Sequence, residues 1–148
     1  KFFCIGAKSE RKYVNAMNIC DETYVFNVCG LLSLRESAEL LRRCCLLISN
    51  DSGATHIASA LGINHLVWFG ATDDVEFGPY LNPKAVVYRV HLPCAPCRKN
   101  ECTVSENDIP KKSQRPFCLN LIDTRQVSEI AEEMLHKKKF VSNLVFQQ

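Results

Sequence analysis

The sequence lacks several features that would assign a protein to a class at once. No apolar run approaches the roughly 20 residues of a membrane-spanning helix, and the apolar run Phe2–Ile5 is too short for a secretory signal. A strong net charge is also missing, because the 18 Lys and Arg residues are nearly balanced by 16 Asp and Glu residues. We therefore expect no transmembrane segment and no nucleic-acid partner, and a cytoplasmic location. The absence of a starting Met indicates a piece of a longer protein.

Short apolar runs alternate with helical patterns through the first half of the chain. With 148 residues, 47% of them hydrophobic, the chain is expected to form one globular domain. Strand–helix alternation implies right-handed crossovers, so we predict an α/β fold in which one parallel sheet is covered by helices. The predicted strands are Phe2–Ile5, Tyr24–Val28, Leu46–Ser49 and His65–Phe69, with a further strand at Ala85–Val90.

Three signals mark helix ends. Ser33 and Glu36 have the spacing of a capping box, in which each residue satisfies the backbone N–H of the other. Gly62 follows an Ala-rich helix and is suited to a left-handed terminator. A second capping box, Asp123–Gln126, is predicted to open a helix that runs to about Lys139.

The turn Asp51–His56 is the most informative segment for function. It follows a buried strand and leads into a helix, so it should lie at the carboxyl edge of the sheet, where open α/β folds bind ligands. The N–H groups of Gly53, Ala54 and Thr55 would lack helical partners there and favour an anion, with His56 beside it. The alternative is that Asp51 or Ser52 simply caps the helix. Neither a P-loop nor a GxGxxG fingerprint is present.

Several motifs, in the same order and spacing, resemble those of glycosyltransferase family 9, the lipopolysaccharide heptosyltransferases. The family pattern is close to NDSGxxHLAAALG, then a strand and FGPTD. The sequence departs from it at Ala71 and Asp74, where the family has Pro, and at Ala54-Thr55, where Pro-Met is common. The matching stretches are Asn50–Gly62, Val67–Asp73, Gly30 with Leu32–Glu36, Pro93–Cys102 and Cys118–Ile122.

The resemblance implies a Rossmann-like donor-binding domain of the two-domain GT-B architecture. Residues 1–148 would be part of the C-terminal, nucleotide-sugar-binding domain, and the N-terminal domain with the acceptor site and the catalytic base would be absent. No catalytic residue is therefore assigned. Because the first strand of such a domain would lie upstream of Lys1, we expect an apolar face or edge of the sheet that is exposed in this chain or filled by a neighbour.

The resemblance also implies a donor, an acceptor and site residues. An inverting transfer would move a sugar, heptose from ADP-heptose, onto a lipopolysaccharide core, with the enzyme in the cytoplasm or peripheral at the inner membrane. No cofactor is expected. Glu10 would contact the nucleotide ribose and Leu32 would pack on the base. The diphosphate and sugar would be held by Asp51, Ser52, Gly53 and His56.

Nine cysteines are present, and five of them lie in or beside apolar stretches, as small buried hydrophobes do in a reducing compartment. The other four form a C-x2-C-x4-C-x15-C cluster. Its spacing is compatible with a Cys4 zinc site, with packed free thiols or with disulfides. A metal-stabilised interaction module without enzyme activity is thus the alternative to a glycosyltransferase. The cluster consists of Cys94, Cys97, Cys102 and Cys118.

Overall fold

The chain forms two compact units, Lys1–Arg43 and Cys44–Gln148. The computed structural model describes residues 1–21, 23–102, 104 and 117–136. Within these ranges, no helix combines the length and the apolar character needed to cross a membrane.

The first unit contains two short parallel strands and the helices that follow them. β1 and β2 pair in register, with Phe3 opposite Phe26, and these two rings stack with their centroids 5.4 Å apart. A 3-10 turn at Lys8–Glu10 precedes the first helix. The elements are β1 (Phe2–Cys4), α1 (Arg11–Ala16), β2 (Val25–Asn27) and α2 (Leu34–Arg43).

The second unit is built on a three-stranded parallel sheet in the order β3-β4-β5. The central strand is almost fully buried, in keeping with its apolar residues Leu66–Phe69. The elements are β3 (Leu47–Asn50), α3 (Gly53–Leu61), β4 (His65–Phe69), α4 (Asp74–Phe77), β5 (Ala85–Arg89), α5 (Phe117–Asn120) and α6 (Thr124–His136).

The α/β class and the parallel pairing of the predicted strands are confirmed, but the strands form a two-stranded and a three-stranded sheet instead of one. The predicted bounds of β4 are confirmed, and the other strands shift or shorten by one or two residues. At β2 the cause is local. Asp21 Oδ1 accepts the N–H groups of Thr23, Tyr24 and Val25, so a turn extends through Tyr24.

The predicted helix ends are confirmed at α2 and α3. The Ser33 N–H donates to Glu36 Oε2 at 2.7 Å, and the Glu36 N–H donates to Ser33 Oγ at 3.3 Å. Gly62 ends α3 with φ +62°, a left-handed conformation that side chains other than glycine rarely adopt.

The predicted capping box at α6 is correct for only one of its two residues. Asp123 Oδ1 accepts the Arg125 N–H at 2.8 Å, as a cap should. Gln126 does not return the bond, because the buried Tyr88 hydroxyl lies between the two residues. That hydroxyl accepts the Asp123 N–H at 3.4 Å and donates to Gln126 Oε1 at 2.9 Å.

The main core lies between α6 and strands β4 and β5. On α6, Leu135 is 53% exposed and does not join this core. The predicted end of α6 near Lys139 lies outside the described residues. In the first unit, Phe2 of β1 is 66% exposed and Phe3 is 38% exposed, which is the apolar surface expected there. The core residues are Leu66, Val86, Tyr88, Ile130, Ala131 and Met134.

Candidate donor-binding site

The turn between β3 and α3 lies at the carboxyl edge of the three-stranded sheet. The Asp51 N–H donates to the carbonyl of Trp68 on the neighbouring strand at 3.2 Å, so the turn begins directly beside the end of β4. Ser52 is the N-cap residue of α3, with extended backbone and no side-chain hydrogen bond to the helix. The Ser52 side chain therefore does not cap the helix, and capping by Ser52 was one of the two alternatives to an anion site.

Thr55 was expected to offer its amide to an anion, and this expectation is wrong. Its N–H donates to the Ser52 carbonyl at 3.1 Å, and the residue is fully buried. Its hydroxyl donates to the Asn50 carbonyl at 3.1 Å and lies 2.9 Å from Ser49 Oγ. Thr55 therefore anchors the first turn of α3 to the end of β3.

Two amides remain at the start of α3. In the described part of the chain, the N–H groups of Gly53 and Ala54 have no hydrogen-bond acceptor. Gly53 is exposed, and a Cβ built on it would meet no atom within 4 Å. The helix dipole places partial positive charge on these N–H groups, and His56 is exposed in the same first turn. An anion can approach this terminus closely.

The other two predicted site residues belong to the first unit, on the loops that follow β1 and β2. Glu10 ends the 3-10 turn and is exposed, with its Oε2 accepting the Ala7 N–H at 2.6 Å. Leu32 is half-buried and follows Gly30.

Gly30 draws these two loops together. Its N–H donates to the Gly6 carbonyl at 2.8 Å, and its φ is +68°. A Cβ at this position would lie 2.5 Å from Lys8 Cα, so only glycine allows the approach. The loops that carry Glu10 and Leu32 are therefore tied together at the carboxyl edge of their sheet.

A network of arginines and carboxylates surrounds the loop after β4, and the sequence analysis missed it. Arg98 forms ion pairs with Asp73 (2.9 Å) and Glu76 (2.7 Å), and Arg89 pairs with Asp74. The hydrogen bond from Arg98 lowers the pKa of Asp73 below its ordinary value. The only sequence signal was the run of acidic residues after Thr72, because no Lys or Arg lies within one helical turn of them to indicate an ion pair.

The four clustered cysteines line one small cavity, beside Gly70 and Ala71. All nine cysteines lie within the described residues and are free thiols. Burial raises the pKa of Cys118, with further contributions from the nearby Cys102 and Cys97 thiols. Cys102 is exposed, and backbone N–H groups, first that of Phe117, lower its pKa. Among the described side chains, no group of three or more has an arrangement that could hold a metal ion.

Solved structures of glycosyltransferases have this fold. A crystal structure of a family 9 glycosyltransferase from Veillonella parvula matches 91% of this chain with a TM-score of 0.70 and 25% identity, over 36% of its own length. The structure of the Escherichia coli ADP-heptose lipopolysaccharide heptosyltransferase II matches 90% of this chain and 35% of its own length, with a TM-score of 0.65 and 22% identity. The class is therefore an α/β fold of glycosyltransferase type.

The sequence comparisons identify the family. The family described as glycosyltransferase family 9 (heptosyltransferase) matches residues 1–107. Lipopolysaccharide heptosyltransferase 1 of Pseudomonas aeruginosa is 31% identical over 70% of this chain and 30% of its own length. Lipooligosaccharide heptosyltransferase 2 of Campylobacter jejuni is 25% identical over 79% of this chain and 37% of its own length. The chain belongs to glycosyltransferase family 9, and it spans about a third of the length of these relatives.

Proposed function

We propose that this chain is the donor-binding part of a glycosyltransferase that acts on a nucleotide-diphosphate sugar. The observation that carries the proposal is the open N-terminus of α3, with Gly53 exposed and its N–H and that of Ala54 unbonded within the described chain. A diphosphate supplies the negative charge and the acceptor oxygens that such a terminus favours. The family membership of the chain supports a sugar nucleotide as the source of that diphosphate.

The chemistry follows from where charge develops. The acceptor hydroxyl oxygen attacks the anomeric carbon from the face opposite the diphosphate, and the bond to the diphosphate oxygen breaks with its electron pair. The α3 terminus stabilises the negative charge that grows on this leaving group. A base from the acceptor-side domain takes the hydroxyl proton. The names of the relatives support a heptose carried by ADP as the donor sugar and the lipopolysaccharide core as the acceptor.

The residues at the α3 terminus have separable roles in this proposal. His56 is exposed in the first turn of α3 and can donate a hydrogen bond or positive charge to the diphosphate. The Asp51 carboxylate repels a diphosphate, so its role is to accept hydrogen bonds from sugar hydroxyls. Ser52 lacks a bond to the helix, so its hydroxyl is available to either group. Glu10 and Leu32 are proposed to bind the nucleotide ribose and base.

Calorimetric titration of the chain with ADP and with ADP-heptose tests these roles. His56→Ala should weaken the binding of both ligands, whereas Asp51→Ala should weaken only ADP-heptose. The matched controls are His136→Ala and Glu132→Ala, which alter exposed residues of α6. Failure of the wild-type chain to bind either ligand, or equal effects of the α3 and α6 variants, would contradict the proposal.

A further inference from the structure

The loop after β4 lies beside the donor turn, because β3 and β4 are neighbouring parallel strands. Asn50 is paired with Trp68 in their register, and the Asp51 N–H donates to the Trp68 carbonyl. Neighbouring strands lie about 4.8 Å apart, so the two loops leave the sheet side by side. The second loop therefore begins directly beside the donor turn.

That second loop is strongly acidic where it enters α4, with Asp73, Asp74 and Glu76 within four residues. Uncompensated carboxylates within the screening length of about 8 Å at physiological ionic strength would repel an anion. The structure compensates them with two arginines from later in the chain. Arg89 pairs with Asp74, and Arg98 bridges Asp73 and Glu76.

The same arginines also fix the backbone of the loop. The Arg98 N–H donates to the Ala71 carbonyl at 2.8 Å, and the Arg89 guanidinium donates to the Thr72 carbonyl at 3.0 Å. Asp73 in turn accepts the Val75 N–H at 3.0 Å and begins α4. Because a peptide unit is planar, holding these two carbonyls also fixes the direction of the N–H groups that follow them.

Arg98 reaches the loop through an unusual backbone conformation. Its φ is +54°, a left-handed value that disfavours residues other than glycine by roughly 1 kcal/mol or more. The residue comes directly after Cys97 of the cysteine cluster, whose cavity is lined by Gly70 and Ala71 of the same loop. The cysteine-rich segment thus brings Arg98 to the β4 loop.

We propose that Arg98 is a positioning residue for the donor diphosphate. It neutralises Asp73 and Glu76 beside the α3 terminus and holds the loop after β4 in place, so that the diphosphate binds next to charge-compensated carboxylates. This inference rests on the proposed function, since it assumes that an anion binds at Gly53 and Ala54.

Calorimetric titration of the whole 148-residue chain with ADP tests the inference. Arg98→Ala should weaken ADP binding roughly threefold to tenfold at low salt, with a smaller loss at high salt, because two carboxylates lose their counter-charge. Arg98→Lys should restore part of the affinity. Removing one of the freed charges, in the Arg98→Ala/Glu76→Gln double variant, should restore it further. Arg42→Ala, which removes an exposed arginine paired with Glu39, is the control and should leave ADP affinity unchanged.

Each outcome bears on a separate claim. If wild type binds ADP and Gly53→Val does not, but Arg98→Ala binds like wild type, the inference is wrong and the proposed function stands. If Arg98→Ala loses affinity and neither the lysine nor the Glu76→Gln change restores any of it, the role of Arg98 is structural only, which also overturns the inference. If circular dichroism shows that Arg98→Ala does not fold, two single variants carry the test. Arg98→Lys should bind ADP more weakly than wild type, and Glu76→Gln should bind it equally well or more tightly. Absence of ADP binding by wild type contradicts the proposed function and the inference with it.

Discussion

Helices α2 and α3 each begin a few residues after a parallel strand, yet their first turns are satisfied in different ways. At α2, Ser33 and Glu36 exchange hydrogen bonds and close the terminus. At α3, Ser52 occupies the same N-cap position and makes no side-chain hydrogen bond to the helix. The first N–H groups of any helix need partners from outside it. The exchange at α2 satisfies the N–H groups of Ser33 and Glu36 and places a carboxylate over the terminus, whereas α3 has no side-chain cap and no acidic residue in its first turn.

The difference depends on the third residue of each helix. In α2 this residue is Glu36, whose carboxylate reaches back to the Ser33 N–H. In α3 it is Thr55, whose hydroxyl turns inward to the Asn50 carbonyl at the end of β3. A buried anchor at this position secures the helix without covering its terminus. An N-cap serine therefore does not by itself show that a helix is closed.

The largest effect is expected from Gly53→Val, which should abolish ADP binding to the chain. The valine side chain would occupy the open space through which an anion approaches, and Gly53 has no positive φ that would strain a substitution. Calorimetry measures the loss. Ala60→Val, at an exposed position of the same helix, is the matched control for helix propensity and should bind normally. ADP binding by Gly53→Val at wild-type affinity would show that the anion site is elsewhere.

A smaller effect, on stability, should distinguish the two serines. Ser33→Ala should lower the free energy of unfolding by about 1 kcal/mol, because it removes an N-cap hydrogen bond. Ser52→Ala should change it by only a few tenths, since that side chain caps nothing. Urea unfolding followed by circular dichroism measures both changes. Equal losses for the two variants would mean that α3 is capped like α2.

The smallest effect is expected from acid. Hydrogen bonds from Ser33, first from its hydroxyl and then from its N–H, lower the pKa of Glu36. The stability from this carboxylate is therefore present above the ordinary glutamate pKa of about 4.3 and is lost as pH falls through the lower folded value. Glu36→Gln should lose less stability than wild type between about pH 6 and about pH 3. Identical pH profiles from urea unfolding would exclude the closed cap at α2.

The features that the sequence predicted correctly are those that depend on residues close together in the chain. The bounds of β4 were predictable because a continuous apolar run ends at Gly70. The capping box of α2 and the glycine end of α3 follow from residues within one turn of each helix. The family motifs marked the turn between β3 and α3 as the candidate donor site by the same kind of short-range pattern.

Contacts between distant residues were not predictable in this way. The Tyr88 hydroxyl enters the α6 capping box from 35 residues away. Arg98 meets Asp73 across 25 residues. The division of the strands into two sheets also depends on which edges pair, and the apolar pattern of each strand alone does not contain that choice.

The central claim is that the start of α3, unlike the start of α2, is open to an anionic ligand. Its most direct test is a 15N NMR titration of the chain with ADP, in which the backbone amide signals of both helix starts are followed together. The signals of Gly53 and Ala54 should shift saturably with added ADP, and further than those of Ser33 and Glu36, whose N–H groups are already hydrogen-bonded at the start of α2. Unshifted Gly53 and Ala54 signals at saturating ADP would contradict the account.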